Sequence, residues 1–354
     1  MTGEQTKTAA PWPSISVIVP VRIVDEEFLA CLQSLYALDP APQEVLLVLD
    51  GSPDEVPKEE GRDLELRVIR LPVSRGPAGA RNQGAAQARG DVLFFLDADV
   101  EVGRDAVKIV RCVFQEDNPP DALFGCYDDI PQKPDVPSQY RNLLHHYTHL
   151  KGNEDASTFW AGCGACRRDV FLDLGGFDDR FDRPSIEDIE LGYRLKRAGR
   201  RIRLVKNLRC THLKQWGFFQ MLGTDLFDRA VPWTRLILRD RRFINDLNLR
   251  TSNRVSIAAM GALTVTGIAA PWAPALAWGS AIALLALMAS NASLLRFFVR
   301  KRGGLFAIRT VPLLGMYYLC CGLGFFIGIF QHVACPGRPF LSHPDREPLQ
   351  RDAP

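Results

Sequence analysis

Over roughly the first 220 residues, short apolar runs alternate with segments whose apolar side chains recur three and four positions apart. Residues 15–19 (ISVIV) form a β-branched run stopped by Pro20, a strand by composition and length. Phe28, Leu29, Leu32, Leu35 and Tyr36 then fall at helical spacing within 26–38. Residues 44–49 (EVLLVL) read as a second buried strand, ended by the turn signal Asp50-Gly51-Ser52-Pro53, and 67–71 as a third. Residues 79–89 form an Ala-rich helix, and 91–96 (DVLFFL) a fourth strand that runs into Asp97-Ala98-Asp99. Strand, helix, strand, strand, helix, strand is the order of an α/β domain on a mostly parallel sheet. Such sheets bind ligands beyond the C-terminal ends of their strands. Pro20 to Arg22, Asp50, and Asp97 with Asp99 are therefore expected at one edge.

Further along, the pattern changes. The stretch 255–295 is 41 residues without a charged side chain, and 310–337 is 28 more. About 20 helical residues cross a bilayer core. The first stretch is twice that length and is interrupted at Pro271-Trp272-Ala273-Pro274, which predicts a helical hairpin about 255–295; a third span is expected about 310–334. Residues 228–254 hold seven Arg against three Asp, and Arg296, Arg300, Lys301, Arg302 and Arg309 follow the hairpin with no acid among them. Basic flanks on one side make that side cytosolic. The first thirteen residues lack the apolar core of a secretory signal, so the preceding domain is expected in the cytosol, at the inner (cytoplasmic) membrane. The organisation expected is a flexible 1–13, a catalytic domain 14–217, basic amphipathic interfacial helices 218–254, membrane helices 255–335 and a flexible tail 336–354. Leu294, Leu295, Phe297, Phe298 and Val299 predict a helix in the headgroup plane, and Phe218, Phe219, Phe227 and Trp233, interleaved with Arg229 and Arg235, predict another.

The averages conceal this division. The 354 residues carry 43 Lys and Arg against 41 Asp and Glu, a net of +2, with 47% apolar and 24% charged residues. That balance excludes a disordered chain, a collagen-like repeat and a strongly basic nucleic-acid binder. Nine cysteines are scattered at 31, 112, 126, 163, 166, 210, 320, 321 and 335. In a reducing compartment these are buried small apolar residues. Cys163-Gly164-Ala165-Cys166 has C-x-x-C spacing but no second pair, and its glycine-rich setting suits a tight loop. His145 and His149 share a helical face without a third metal ligand in view.

Two carboxylates at a buried strand end repel unless a cation sits between them, so Asp97 and Asp99 point to an oxygen-loving ion such as Mg2+ or Mn2+ that also bridges phosphates. Arg75 and Arg81 lie in the preceding segment and could neutralise a diphosphate. Asp188, near the start of a helix that stops at Gly199, is the kind of group a hydroxyl acceptor needs as general base, although an acid there also suits the helix dipole.

In order along the chain, Ser16-Val17-Ile18-Val19-Pro20, Val48-Leu49-Asp50-Gly51-Ser52, Ala80-Arg81-Asn82-Gln83-Gly84, the run from Gly90 to Asp99, Gly175-Gly176-Phe177 and Glu187-Asp188 resemble the family 2 glycosyltransferases, inverting nucleotide-sugar enzymes of GT-A fold, in their membrane-anchored bacterial form. The resemblance runs from Ser16 to about Trp216. It implies that Asp50 contacts the nucleobase, Pro20 and Arg22 line the nucleotide pocket, Arg81 lies near base or diphosphate, Asp97 approaches ribose or sugar, Asp99 and His212 hold the metal, and Asp188 is the base. Glu187 and Trp216 are expected on the acceptor and sugar side. Three departures stand out. Leu49 replaces the first Asp of the usual Asp-Asp-Gly-Ser, Arg22 stands where an aromatic is common, and the Gln-x-x-Arg-Trp of processive synthases is absent. His212-Leu213-Lys214-Gln215-Trp216 occupies the comparable place, so single-sugar transfer is expected, from a nucleotide-diphosphate sugar to a hydroxyl of a lipid or lipid-linked acceptor at the membrane. The alternatives are a sugar nucleotidyltransferase, which needs no base placed like Asp188, and a membrane scaffold with an inactive domain.

Overall fold

The computed structural model describes residues 12–57, 64–241 and 245–334. The first eleven residues, the tail from 335 and Cys335 lie outside it. The chain opens with β1 (Ile15–Val21), α1 (Glu26–Tyr36), β2 (Glu44–Asp50), β3 (Leu66–Leu71), α2 (Gly76–Gln87) and β4 (Val92–Leu96). Local chemistry sets these boundaries. The Asp25 carboxylate caps α1 by accepting from Phe28 N at 2.9 Å, satisfying one of the N–H groups a helix start leaves free. Pro20 sits where β1 has run past its pairing with β4, which ends at Ile18, so its missing N–H costs little.

There follow β5 (Val100–Val102), α3 (Ala106–Phe114), β6 (Ala122–Tyr127), α4 (Val136–Lys151), β7 (Cys163–Arg167), α5 (Arg168–Asp173), α6 (Glu187–Arg197) and β8 (Ile202–His212). The eight strands form one sheet in the order β3-β2-β1-β4-β7-β6-β8-β5. Its first half is parallel, as the strand–helix alternation predicts. Beyond β4 it is mixed: β7 runs antiparallel to β4 and β6, and β5 antiparallel to β8, giving four parallel and three antiparallel pairings in all. The expected tight loop at Cys163 to Cys166 is strand β7. Its alternation sends Cys163 into the core on one face and Cys166 into the core on the other. The two thiols therefore point to opposite faces of the sheet and do not converge on a common point.

After β8 the chain enters α7 (Phe218–Gly223), a π-helical turn (Thr224–Ala230) and α8 (Val231–Asp240), then α9 (Thr251–Ala269), α10 (Leu276–Ser290), α11 (Ala292–Arg302) and α12 (Gly304–Ala334). The helices α9 and α10 form an antiparallel hairpin in fixed register, since Ser256 meets Ser290 and Thr266 meets Ser280, each hydroxyl pair 2.8 Å apart. A bend of 60° separates α10 from α11. Among the described residues one helix, α12, is by itself long and apolar enough to cross a membrane; its 31 residues span about 46 Å. Gly324 and Gly328, a G-x-x-x-G pair that the sequence pattern alone did not single out, let α12 lie against the π-helical turn and α8: added Cβ atoms would come 2.4 Å from Ala230 Cβ and 2.7 Å from Thr234 Cβ.

Candidate functional site

All five residues of β4 are buried apolar side chains, and the chain turns immediately after them, so Asp97 and Asp99 emerge at the C-terminal edge. Val100 N donates to Asp97 O at 3.2 Å, closing the turn. The chain then pairs back as β5 against β8, with Val100 opposite His212. Leu213 N donates to Asp99 O at 2.9 Å, and His212 Nε2 lies 3.6 Å from Asp99 Oδ2. The far end of the sheet thus delivers an imidazole to a carboxylate 113 positions earlier. Tyr127 at the end of β6 stacks on His212 at 4.6 Å between ring centres. Burial pushes the Asp99 carboxyl up, but His212 and Lys214 outweigh it and hold the group below its usual range.

Arg81 joins this turn to the second acidic pair. Fully buried on α2, it donates from one Nη to Asp97 Oδ1 at 2.6 Å and from the other to Glu187 Oε1 at 2.9 Å, with Phe177 beneath its guanidinium. Both arms of the fork are occupied by carboxylates, so Arg81 braces the acidic cluster. Burial, opposed by Arg81 and reinforced by Asp99 and Glu187, leaves the Asp97 carboxyl above its usual range.

Glu187 is equally committed. It is 5% exposed and also accepts from Ser185 N at 2.9 Å, so both of its oxygens are engaged. Its neighbour Asp188 does something different. At the start of α6 its oxygens accept from Ala161 N at 3.1 Å and from Ile189 N at 2.7 Å. Burial, then the Glu187 charge, push its carboxyl up to about 7, against the backbone donors and Arg81. The segment that supplies Ala161 N also holds the other pair, since Gly162 O accepts from Asp97 N at 3.2 Å. The sequence offers the small residues of 159–165 as a place of close backbone approach or of tight packing, but the Ala161 contribution is a backbone N–H to Asp188, which no side-chain pattern announces; Tyr127 was missed because its partner lies in another strand.

Asp50 reaches the same edge. Its carboxylate accepts from Ser74 Oγ at 2.7 Å, Arg75 N at 2.6 Å and Gly76 N at 3.0 Å, and the residue is 5% exposed. These bonds fix the loop that starts α2, the helix that carries Arg81. Gly76 is required in that loop, with φ at +73° and Asp182 O only 2.3 Å from where a Cβ would be. Pro20 and the exposed Arg22 end β1 at the same sheet edge. Trp216 is 6% exposed, packs with Tyr140 and Leu143 beneath the Arg141 guanidinium, and has its ring centre 6.3 Å from that of His212.

Among the described residues no three His, Cys, Asp or Glu side chains gather as a full metal site. Asp99 with His212 is a two-donor set, oxygen plus imidazole, which suits Mn2+ or Mg2+ when phosphate oxygens complete the shell. His145 and His149 are not part of it: His149 packs at a tilt against Trp160, 5.1 Å between ring centres, and burial pushes it down to about 3. A cavity of about 360 Å3 bounded by Lys196, Arg200 and Arg203, and one of about 100 Å3 between α4 and the helices α9 to α12, share no residue with this cluster.

Residues 16–175 match the family described as Glycosyl transferase family 2. A pre-mycofactocin glycosyltransferase of Mycobacterium tuberculosis (strain ATCC 25618 / H37Rv) is 29% identical over 226 residues, 57% of this chain and 44% of that protein. The O-antigen biosynthesis protein RfbC of Myxococcus xanthus is 29% identical over 223 residues, 56% of this chain and 17% of its own. The chain thus spans less than half the length of these curated relatives. Among solved structures, the mannosyltransferase PcManGT from Pyrobaculum calidifontis, in complex with GDP-Man and Mn2+, is 19% identical, with 90% of each chain covered and a TM-score of 0.47. The match lies in the domain that carries the acidic cluster, and it is that domain which is similar to glycosyl transferase family 2.

Proposed function

We propose that the protein moves one sugar, with inversion, from a nucleotide-diphosphate donor to a hydroxyl of a lipid or lipid-linked acceptor at the cytosolic face of a membrane. The observation that carries this reading is the contrast within one cluster. Asp99 is held ionised beside His212, whereas Asp188, tied to the same 159–162 segment as Asp97, has its carboxyl raised to about 7. Carboxylates driven apart in this way suit different tasks, one to hold a cation and one to exchange a proton near neutral pH.

Asp99 and His212 would hold Mn2+ or Mg2+, which when bound supplies positive charge to the leaving diphosphate. The chain's own groups do the rest. The loop 74–76, fixed by Asp50, and the end of β1 at Pro20 and Arg22 are placed to shape the nucleotide side. Arg81 keeps Asp97 and Glu187 in position without competing for phosphate. Asp188, ionised in the working range and locked by two backbone N–H groups, takes the acceptor hydroxyl proton as the oxygen attacks the anomeric carbon.

The membrane-side helices support the acceptor assignment. Trp272 and Trp278 at the tip of the α9–α10 hairpin are 81% and 78% exposed, and Ile282, Leu285, Phe326, Phe330 and Val333 are exposed on its flanks and on α12. An apolar surface of this extent with tryptophans at one end suits lipid, with the basic residues 250–254 and 296–309 at the other end on the cytosolic side. The test is a screen of nucleotide sugars for Mn2+-dependent hydrolysis and transfer by the detergent-solubilised full chain. Wild-type turnover with one donor, lost in Asp188→Asn, is expected; no nucleoside diphosphate release from any donor would overturn the reading.

A further inference from the structure

The π-helical turn between α7 and α8 is a rare conformation that tends to mark functional positions. Two residues four apart in it meet two residues four apart on α4. Asp225 takes the buried guanidinium of Arg141 at 2.6 Å, and Arg229 Nη1 lies 2.9 Å from His145 Nε2. Burial and the neighbouring Arg229 keep His145 neutral, so its ring accepts this hydrogen bond and aims the guanidinium without neutralising it. Among the described residues Arg229 has no carboxylate within ion-pair distance: Asp225 is taken by Arg141, and the adjacent Asp228, which feels both Arg229 and Lys214, is paired with Arg183 at 3.1 Å. His145 stacks on Tyr127, whose ring also carries His212, so Arg229 is held against the wall of the acidic cluster and feels the Asp188 charge.

Lys214 completes the arrangement. Two residues after His212, it lies 4.6 Å over the Trp216 ring, has no carboxylate partner among the described residues, and lowers the Asp99 carboxyl. The chain therefore keeps two half-buried cations unpaired beside its acids, while the buried Arg81 is spent on Asp97 and Glu187. Unpaired charge held at a part-buried site is costly unless a ligand supplies the opposite sign. Phe218, Phe219 and Phe227, exposed by 38%, 83% and 54%, stand on the same segment as Arg229.

We propose that Arg229 and Lys214 form a phosphate-binding subsite on the membrane side of the acidic cluster, for a phosphate joined to a lipid chain that lies over the phenylalanines or for the diphosphate of the donor. This deepens the glycosyltransferase reading and rests on it for the placing of the two substrates. The phosphate is bound by two charge-assisted contacts in addition to any metal, and the His145 hydrogen bond orients one of them.

The test is direct binding to the full chain in phosphatidylcholine nanodiscs with EDTA present, titrating dodecyl phosphate, dodecanol, UDP and GDP into wild type, Arg229→Gln and Lys214→Gln. Each substitution is expected to weaken a phosphate ligand at least about tenfold and leave dodecanol unchanged. A loss confined to dodecyl phosphate assigns the subsite to the acceptor, and a loss confined to the nucleotides assigns it to the donor. No loss for any phosphate ligand, or an equal loss for dodecanol, overturns the proposal. Lys214→Gln lies outside the packed π-helical turn and keeps the test open if Arg229→Gln does not fold. Binding of dodecyl phosphate by a wild type that processes no nucleotide sugar would leave the subsite standing and remove the glycosyltransferase reading; nucleotide-sugar turnover with phosphate binding unmoved in both variants would do the reverse.

Discussion

Asp188→Asn should make the protein more stable and nearly inactive. The side chain keeps its shape, but the carboxylate disappears from a site where burial and Glu187 raise it from 3.8 to about 7. That difference corresponds to about 4 kcal/mol between the protonation states. The direction follows from linkage. Below the unfolded value both states are protonated and the residue costs nothing; above about 7 it is ionised in both, and the folded state bears the whole penalty. Wild-type stability should therefore fall relative to Asp188→Asn as pH rises from about 4 to 7 and level off beyond. Asparagine offers one oxygen where aspartate accepts from both Ala161 N and Ile189 N, which returns about 1 kcal/mol. A net gain of about 3 kcal/mol at pH 8 remains, at about 2–4 °C in melting midpoint per kcal/mol for a domain of this size. Loss of a general base should lower turnover by about 10²–10⁴-fold, and the wild-type kcat/KM should show an acid limb near pH 7 that the variant lacks. Melting curves from pH 4 to 8 and a pH–rate profile measure both. Equal stability of the two proteins at pH 8, or a variant with near-normal turnover, would refute the reasoning.

Arg81→Met should destabilise the soluble domain by several kcal/mol in chemical denaturation, because it strands Glu187 in the interior; the share due to Asp97 is smaller, since that side chain is 32% exposed. Asp99→Asn or His212→Ala should abolish the metal-dependent part of nucleotide binding, read by calorimetry with and without Mn2+, while melting behaviour changes little. Glu44→Gln, at a fully buried carboxylate gripped by Arg67, Arg89 and Ser16, should cost about 1–3 kcal/mol at neutral pH. Burial pushes that group up but its partners hold it below the usual range, so the deficit should shrink as acid protonates the wild type, which a denaturation series from pH 7 to 3 tests. Gly324→Leu should lift α12 from the π-helical turn, lowering the melting midpoint of the full chain in detergent.

The run of apolar side chains from Val92 to Leu96 and the turn acids after it were legible in sequence order, because a buried strand writes its length and its end into its own residues. The same holds for α1, β1 to β3, the helix that stops at Gly199, and the uncharged stretches that become α9, α10 and α12. What those residues do was decided elsewhere. Arg81 holds its place in the cluster because Glu187, 106 positions away, takes one side of its fork. Asp50 is held by the 74–76 loop, which no local pattern around residue 50 announces. The mixed half of the sheet depended on pairing between β4, β7, β6 and β8, for which local sequence holds no register. Periodicity reports which side of an element is buried; whether a charged group is paired, and so left free for substrate, depends on what the rest of the chain brings within about 3 Å.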